Sequence, residues 1–295
     1  MKKRTLKLKK CFCAKLFAVL ILLPPLAVCL AQEQAIIKTT HVAGSVYMLE
    51  GHGGNIGVSV GEDGILIVDN QFDNMAPQIE AALADLGKGE LKFVLNTHWH
   101  GDHTGGNAHF GQKATVLAHE NVRERLKKKS GTPKSALPVI TFKESSLVHF
   151  NGEEIRLLHL GAGHTDGDVI IWFTDSNVIH MGDQFFNGRF PYIDLASGGR
   201  VLGYQRNVTK ILNALPEGAK IIPGHGPLGD KQDLQNFSTM LMETINPVRQ
   251  AISQGKTLDQ IKAAGVDEKY KAWAVGFINT PRWLQIVYNS LTSER

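Results

Sequence analysis

The sequence predicts an α/β chain of two packed sheets with helices outside, rather than one doubly wound parallel sheet. Three observations point there. Short β-like segments bunch between Gly-rich turns in the first third, the same style returns in the second half, and each strand-rich half is flanked by helical stretches. With 295 residues, 43% of them hydrophobic and 20% charged, the chain can bury a substantial core. The same balance excludes collagen, coiled coil, a polytopic membrane protein and general disorder.

The first strands are expected at Ile36–Thr40, Val46–Leu49, Ile56–Val60 and Ile65–Val68, the last two joined by Gly61-Glu62-Asp63-Gly64. A helix follows over Ala76–Leu86, where Ile79, Ala82 and Leu86 share a face. Next come a strand at Lys92–Asn96, another at Ala114–Ala118 and a basic helix at Asn121–Lys129. Asn151-Gly152 turns a hairpin between Ser146–Phe150 and Glu153–Leu160. Val169–Phe173 and Val178–His180 read as strands, Gly203–Leu215 as a helix, Lys220–Ile222 as a strand, and a helix begins near Asp230. Beyond residue 245 the chain is helical: Thr257-Leu258-Asp259-Gln260 has capping-box spacing, and Trp283, Leu284, Ile286, Val287 and Leu291 form an apolar stripe suited to core packing. No linker divides residues 32–245 from residues 246–295, which are expected to pack on the same domain.

Residues 1–31 read as a secretory signal. Lys2, Lys3, Arg4, Lys7, Lys9, Lys10 and Lys15 precede an apolar run from Leu16 to Leu30, and Cys29-Leu30-Ala31 supplies small residues before a cut after Ala31. Pro24-Pro25 interrupts the run, which is shorter than the roughly 20 residues a spanning helix needs. The reading is therefore a periplasmic or secreted protein with no stable membrane insertion after cleavage. The formal charge of +4 belongs to this leader, so the remainder is mildly acidic and no nucleic-acid partner is expected. All three cysteines (Cys11, Cys13, Cys29) also lie there. The mature chain would have no disulfide, Cys nucleophile or thiolate metal ligand.

His98-Trp99-His100-Gly101-Asp102-His103 puts four potential ligands within six residues. Side chains at i and i+2 of an extended chain point the same way, so His98 and His100 can hold one ion. Gly101 lets the backbone turn, after which Asp102 and His103 can face a second. Three more donors are expected at strand ends beside Gly-containing turns: His164 in Gly161-Ala162-Gly163-His164-Thr165, Asp183 in His180-Met181-Gly182-Asp183, and His225 in Pro223-Gly224-His225-Gly226.

With these residues in this order, from about Val42 to Leu241, the chain resembles the metallo-β-lactamase superfamily. The resemblance implies a four-layer αββα sandwich with a C-terminal helical extension and metals in a cleft at one edge of the two sheets. Carried over by motif, His98, His100 and His164 would hold one zinc, Asp102, His103 and His225 a second, and Asp183 would bridge them. One β-lactamase subclass has Cys at the Asp183 position and Lys at the Phe186 position. The ligand set here is closer to the general hydrolases of the family.

Imidazoles and carboxylates suit two Zn²⁺ per chain, and the set would also take iron or manganese, since no thiolate biases it. The implied reaction is attack of a metal-bridging hydroxide on a carbonyl, with Asp102 and Asp183 as the catalytic carboxylates. Asp69, directly after the strand Ile65–Val68, leads the candidates for orienting an imidazole, with Thr97 and Thr165 behind it. His52, in the Gly-rich loop Gly51-His52-Gly53-Gly54-Asn55, and Arg189 and Arg200 are candidates to touch substrate. The expected partner is a small molecule: a cyclic amide, ester or lactone, with β-lactams among accepted substrates. The alternatives are a glyoxalase II-like thioester hydrolase and a mono-iron, persulfide dioxygenase-like redox enzyme.

Two other motifs fail on context. Gly57-Val58-Ser59-Val60-Gly61 matches the serine-hydrolase elbow but sits in a β alternation that turns into another strand. Gly224-His225-Gly226-Pro227-Leu228-Gly229 matches the dinucleotide fingerprint, but Pro227 removes an N–H from the phosphate cradle.

Overall fold

Ile65, Leu66, Ile67 and Val68 are all buried, and successive side chains enter different cores. A strand covered on both faces produces such an unbroken apolar run. The computed structural model describes residues 36–87 and 89–293; the expected signal segment, residues 1–31, lies outside them.

The first sheet runs in chain order through β1 (Lys38–Ala43), β2 (Val46–Glu50), β3 (Ile56–Gly61), β4 (Gly64–Val68), β5 (Leu91–Leu95), β6 (Thr115–His119) and β7 (Ile140–Phe142). Pairing is antiparallel as far as β4 and parallel after it. The parallel crossovers carry helices: α1 (Ala76–Leu86) after β4, the single turns α2 (Gly101–Thr104) and α3 (Asn107–Phe110) after β5, and α4 (Glu120–Lys128) after β6.

The second sheet comprises β8 (Ser145–Phe150), β9 (Glu153–Leu158), β10 (Ile170–Phe173), β11 (Val178–Phe186), β12 (Lys220–His225) and β13 (Gly229–Asp230), side by side in that order. Only β11 and β12 pair in parallel, and α5 (Val201–Ala214) forms their crossover. Then follow α6 (Lys231–Ser253), α7 (Leu258–Ala264) and α8 (Thr280–Ser293). Capping boxes start α6 at Asp230 and α7 at Thr257.

Three cores order these elements into four layers. One lies between α1 and the first sheet (Met75, Ile79 and Leu83 against Ile56, Ile65 and Ile67). One lies between the sheets (Leu66, Val68 and Leu95 against Ile155, Ile171 and Ile222). The third joins the second sheet to α5, α6 and α8 (Ile179 and Ile221 against Tyr204, Phe237 and Trp283). The architecture is the αββα sandwich with C-terminal helices. The stripe Trp283, Leu284, Ile286, Val287 and Leu291 is core, and α6 passes through residues 245 and 246, so no break in the chain separates the helical extension. Among the described residues no helix is long and apolar enough to cross a membrane.

β11 and β12 outrun their sequence expectation. β12 continues past Ile222 to His225, and β11 continues past His180 to Phe186, with its register to β12 shifting at Gly182. Gly182 has φ +49°, the left-handed conformation glycine tolerates, and a Cβ there would press on Thr97. What reads in sequence as a turn before Asp183 is thus a bulge inside a strand. It re-aims Asp183 without ending the sheet.

Candidate metal centre

Seven side chains meet at one edge of the sandwich. His98 and His100 leave the end of β5, Asp102 and His103 sit on α2, His164 follows β9, Asp183 lies within β11, and His225 ends β12. His98, His100, His164 and Asp183 form one group of mutually close donors, and Asp102, His103 and His225 a second.

The outer nitrogen of each first-group imidazole is already committed. His164 Nδ1 donates to the Tyr192 carbonyl at 2.7 Å, and His100 Nε2 donates to Asp194 Oδ2 at 3.0 Å. Thr97 Oγ1 donates to Asp69 at 2.6 Å, which leaves its lone pair for His98 Nδ1 at 3.1 Å. The remaining nitrogens therefore turn lone pairs inward: His164 Nε2 and His98 Nε2 lie 2.8 and 3.1 Å from His100 Nδ1. Three lone pairs converging at that range need a cation among them. In the second group His103 Nδ1 donates to Asp69 Oδ2 at 2.7 Å, and its buried Nε2 has no hydrogen-bond partner among the described residues.

Asp183 is shared between the groups. Its Oδ2 is 3.3 Å from His164 Nε2 and 3.8 Å from His98 Nε2, while Oδ1 is 3.1 Å from His103 Nε2 and 3.4 Å from His225 Nε2. Burial would raise this carboxyl, but the surrounding imidazoles, His225 and His103 foremost, hold it well below the usual range. His98 and His164 are driven toward the neutral form chiefly by burial, His164 to about 4. His103 and His225 move the other way. Burial opposes their charge, yet Asp183 and Asp102 outweigh it and raise His225 to about 9. Asp102 is likewise penalised by burial but falls to about 2 beside His103 and His225. Neutral imidazoles on one side and anion-rich donors on the other form donor sets that fit metal-ion binding.

Asp69, directly after β4, lies behind His103. It is fully buried, has φ 64°, and besides His103 it accepts from the Thr97 N–H and hydroxyl. Thr165 serves a different acid, donating from N and Oγ1 to Asp168, which Gln184 also reaches. Burial pushes Asp168 up to about 7.

The substrate candidates are more scattered. His52 is exposed on a loop fastened at its base: Gly54 N–H donates to the Asp102 carbonyl, Gln71 Nε2 to the Gly54 carbonyl, and Asn55 N–H to the Gly224 carbonyl. Gly54 packs directly on the His103 ring, where a Cβ would collide. Arg200 stands at the N-terminal boundary of α5 without a side-chain capping bond, and its Nη1 donates to the Gly199 carbonyl; Arg189 is half-buried with its Nε unpartnered among the described residues.

Sequence reading missed Asp194, Asp168 and Tyr192. The one local signal was at Asp194, whose carboxylate caps the turn Leu195–Ser197 by accepting from the Ser197 N–H.

A profile of the metallo-beta-lactamase superfamily matches residues 44–234. A metallo-beta-lactamase type 2 of Bacteroides fragilis is 24% identical over 52% of this chain and 60% of its own length. A hydroxyacylglutathione hydrolase of Rhodospirillum rubrum is 28% identical over 65% of this chain and 68% of its own. The chain thus spans less than two thirds of the first of these relatives. Among solved structures, a metallo-beta-lactamase from Pontibacter korlensis superposes with a TM-score of 0.61 at 18% identity, covering 70% of this chain and 99% of that one. The profile match spans most of the described sandwich, and the chain belongs to the metallo-beta-lactamase superfamily.

Proposed function

We propose that this chain is an exported metal-dependent hydrolase that holds two zinc ions and opens a cyclic amide, ester or lactone. The observation that carries the reading is the inward convergence of the His98, His100 and His164 lone pairs beside a second group, with Asp183 facing both. Imidazole and carboxylate donors without thiolate suit zinc. When bound, such ions acidify a water toward neutral pH and polarise the carbonyl under attack.

The chain's own groups have separable tasks. Asp194, Asp69 and the Tyr192 carbonyl hold the imidazole tautomers. Asp183, buried and anionic, carries charge between the groups. Asp102 keeps 26% of its side chain exposed and stays ionised, so its carboxylate can orient a water in the cleft by accepting its hydrogen. The basic and apolar leader up to Ala31 supports export.

The test is elemental analysis of the mature protein together with a panel of β-lactam, lactone and thioester substrates. Two zincs per chain and chelator-sensitive turnover of a lactam or lactone are expected; one iron, or turnover that survives both chelation and Asp102→Ala, overturns the reading. A thioester preference would favour the second reading, which the relatives named hydroxyacylglutathione hydrolase support.

A further inference from the structure

Asp168 stands outside both groups of metal donors, yet its buried carboxylate collects hydrogen bonds from two segments that carry ligands. The Thr165 N–H lies 3.0 and 2.9 Å from Oδ1 and Oδ2, and the Thr165 hydroxyl donates to Oδ1. Gln184 Nε2 donates to Oδ2. Thr165 directly follows His164, and Gln184 directly follows Asp183. The next residue reaches a third ligand segment: the Val169 N–H donates at 2.7 Å to the carbonyl of Thr97, which precedes His98.

The joint is closely built. The Gln184 amide lies so near the backbone of Gly163 that a Cβ there would collide with it. The Gly163 N–H donates to the Thr165 carbonyl at 2.9 Å, the Gly167 N–H to the Thr165 hydroxyl at 3.2 Å, and His159 Nδ1 to the Asp168 carbonyl at 2.8 Å. Burying a carboxylate is costly, and apolar contacts would hold these segments together at less cost. Hydrogen bonds add direction to distance, so they can set where a neighbouring ligand points. The ligands concerned face one another, with His164 Nε2 3.3 Å from Asp183 Oδ2.

We propose that Asp168 is a positioning residue of the metal centre. Its carboxylate fixes His164 and Asp183 relative to each other through Thr165 and Gln184, and the adjoining Val169 ties that pair to His98. The other two imidazoles of the cluster with a carboxylate behind them lean elsewhere, His100 on Asp194 and His103 on Asp69. The proposal rests on the metal-binding part of the functional reading and holds whatever bond the centre breaks.

The test titrates the full chain with zinc at about pH 8, by competition with a chromophoric chelator and by long-range proton–nitrogen NMR of the imidazoles, which reads His164 and His103 separately. In Asp168→Ala, zinc affinity at the three-histidine group should fall about tenfold, while the group containing His103 changes little. No loss, or an equal loss at both groups, overturns the assignment. Should Asp168→Ala fail to fold, a pair of variants at Thr165 decides. Thr165→Val keeps the shape and loses the hydroxyl donor; Thr165→Ser keeps the donor and loses the methyl. The valine variant should weaken zinc binding at His164 severalfold and the serine variant should match the wild type. The reverse order, or no difference between them, would mean packing alone and overturns the assignment. A wild type that binds zinc but opens no carbonyl substrate leaves the positioning role standing and removes the hydrolytic reading. A wild type that takes up no zinc removes both.

Discussion

Asp194 accepts the Nε2 hydrogen of His100 at 3.0 Å, and so selects Nδ1 as the nitrogen that faces His98 and His164. A residue 94 positions away thereby decides which lone pair His100 turns inward. Asp194→Ala should weaken binding at the three-histidine group by about 10- to 100-fold, the usual effect of removing a carboxylate behind a ligand histidine. Competition of the variant with a chromophoric zinc chelator measures this; wild-type affinity would show that His100 needs no such support.

Gly54 allows the loop before β3 to lie against His103. In Gly54→Ala the added methyl must displace either the loop or the imidazole. Zinc per chain should fall toward one while the melting temperature of the metal-free protein drops little. A retained count of two at full affinity would contradict this.

Metal uptake should release protons unequally from the two groups. At pH 7.5 His164, lowered to about 4, is already neutral, whereas His225, raised to about 9, carries a proton that an incoming cation must expel. Calorimetric titration in buffers of different ionisation enthalpy should show proton release mainly with the second zinc, diminishing above pH 9. The same shift sets a stability trend for the metal-free protein. His225 is raised from 6.5, so its contribution is complete below about pH 6.5 and lost as pH climbs through about 9.

Trp283 is fully buried, stacks on Phe190 and donates from Nε1 to Thr244 Oγ1. Trp283→Ala should cost about 3–5 kcal/mol, the range for emptying a buried aromatic site. Denaturant unfolding of the metal-free chain would read it, and a loss below about 1 kcal/mol would place α8 outside the cooperative core.

Much of the fold was legible because its signals are local. α1 occupies Ala76–Leu86 as its apolar spacing indicates, and Thr257 caps α7 through the expected box. The sheets' interior strands announce themselves as apolar runs because both faces are covered. β11 is the exception: a glycine inside a strand and a glycine in a turn look alike in one dimension, and only pairing with β12 distinguishes them.

The sequence by itself determined which donor types the cluster contains. Imidazoles at i and i+2 leaving a strand, followed by an acid and an imidazole across a glycine, constrain their own geometry through backbone connectivity alone. Tertiary structure decided everything those ligands lean on. Asp194 reaches His100, Asp69 reaches His103, and the Arg282 side chain reaches Tyr192 across long stretches of chain. No periodicity encodes such pairings, because they arise where separately folded segments pack and a buried polar group must find a partner.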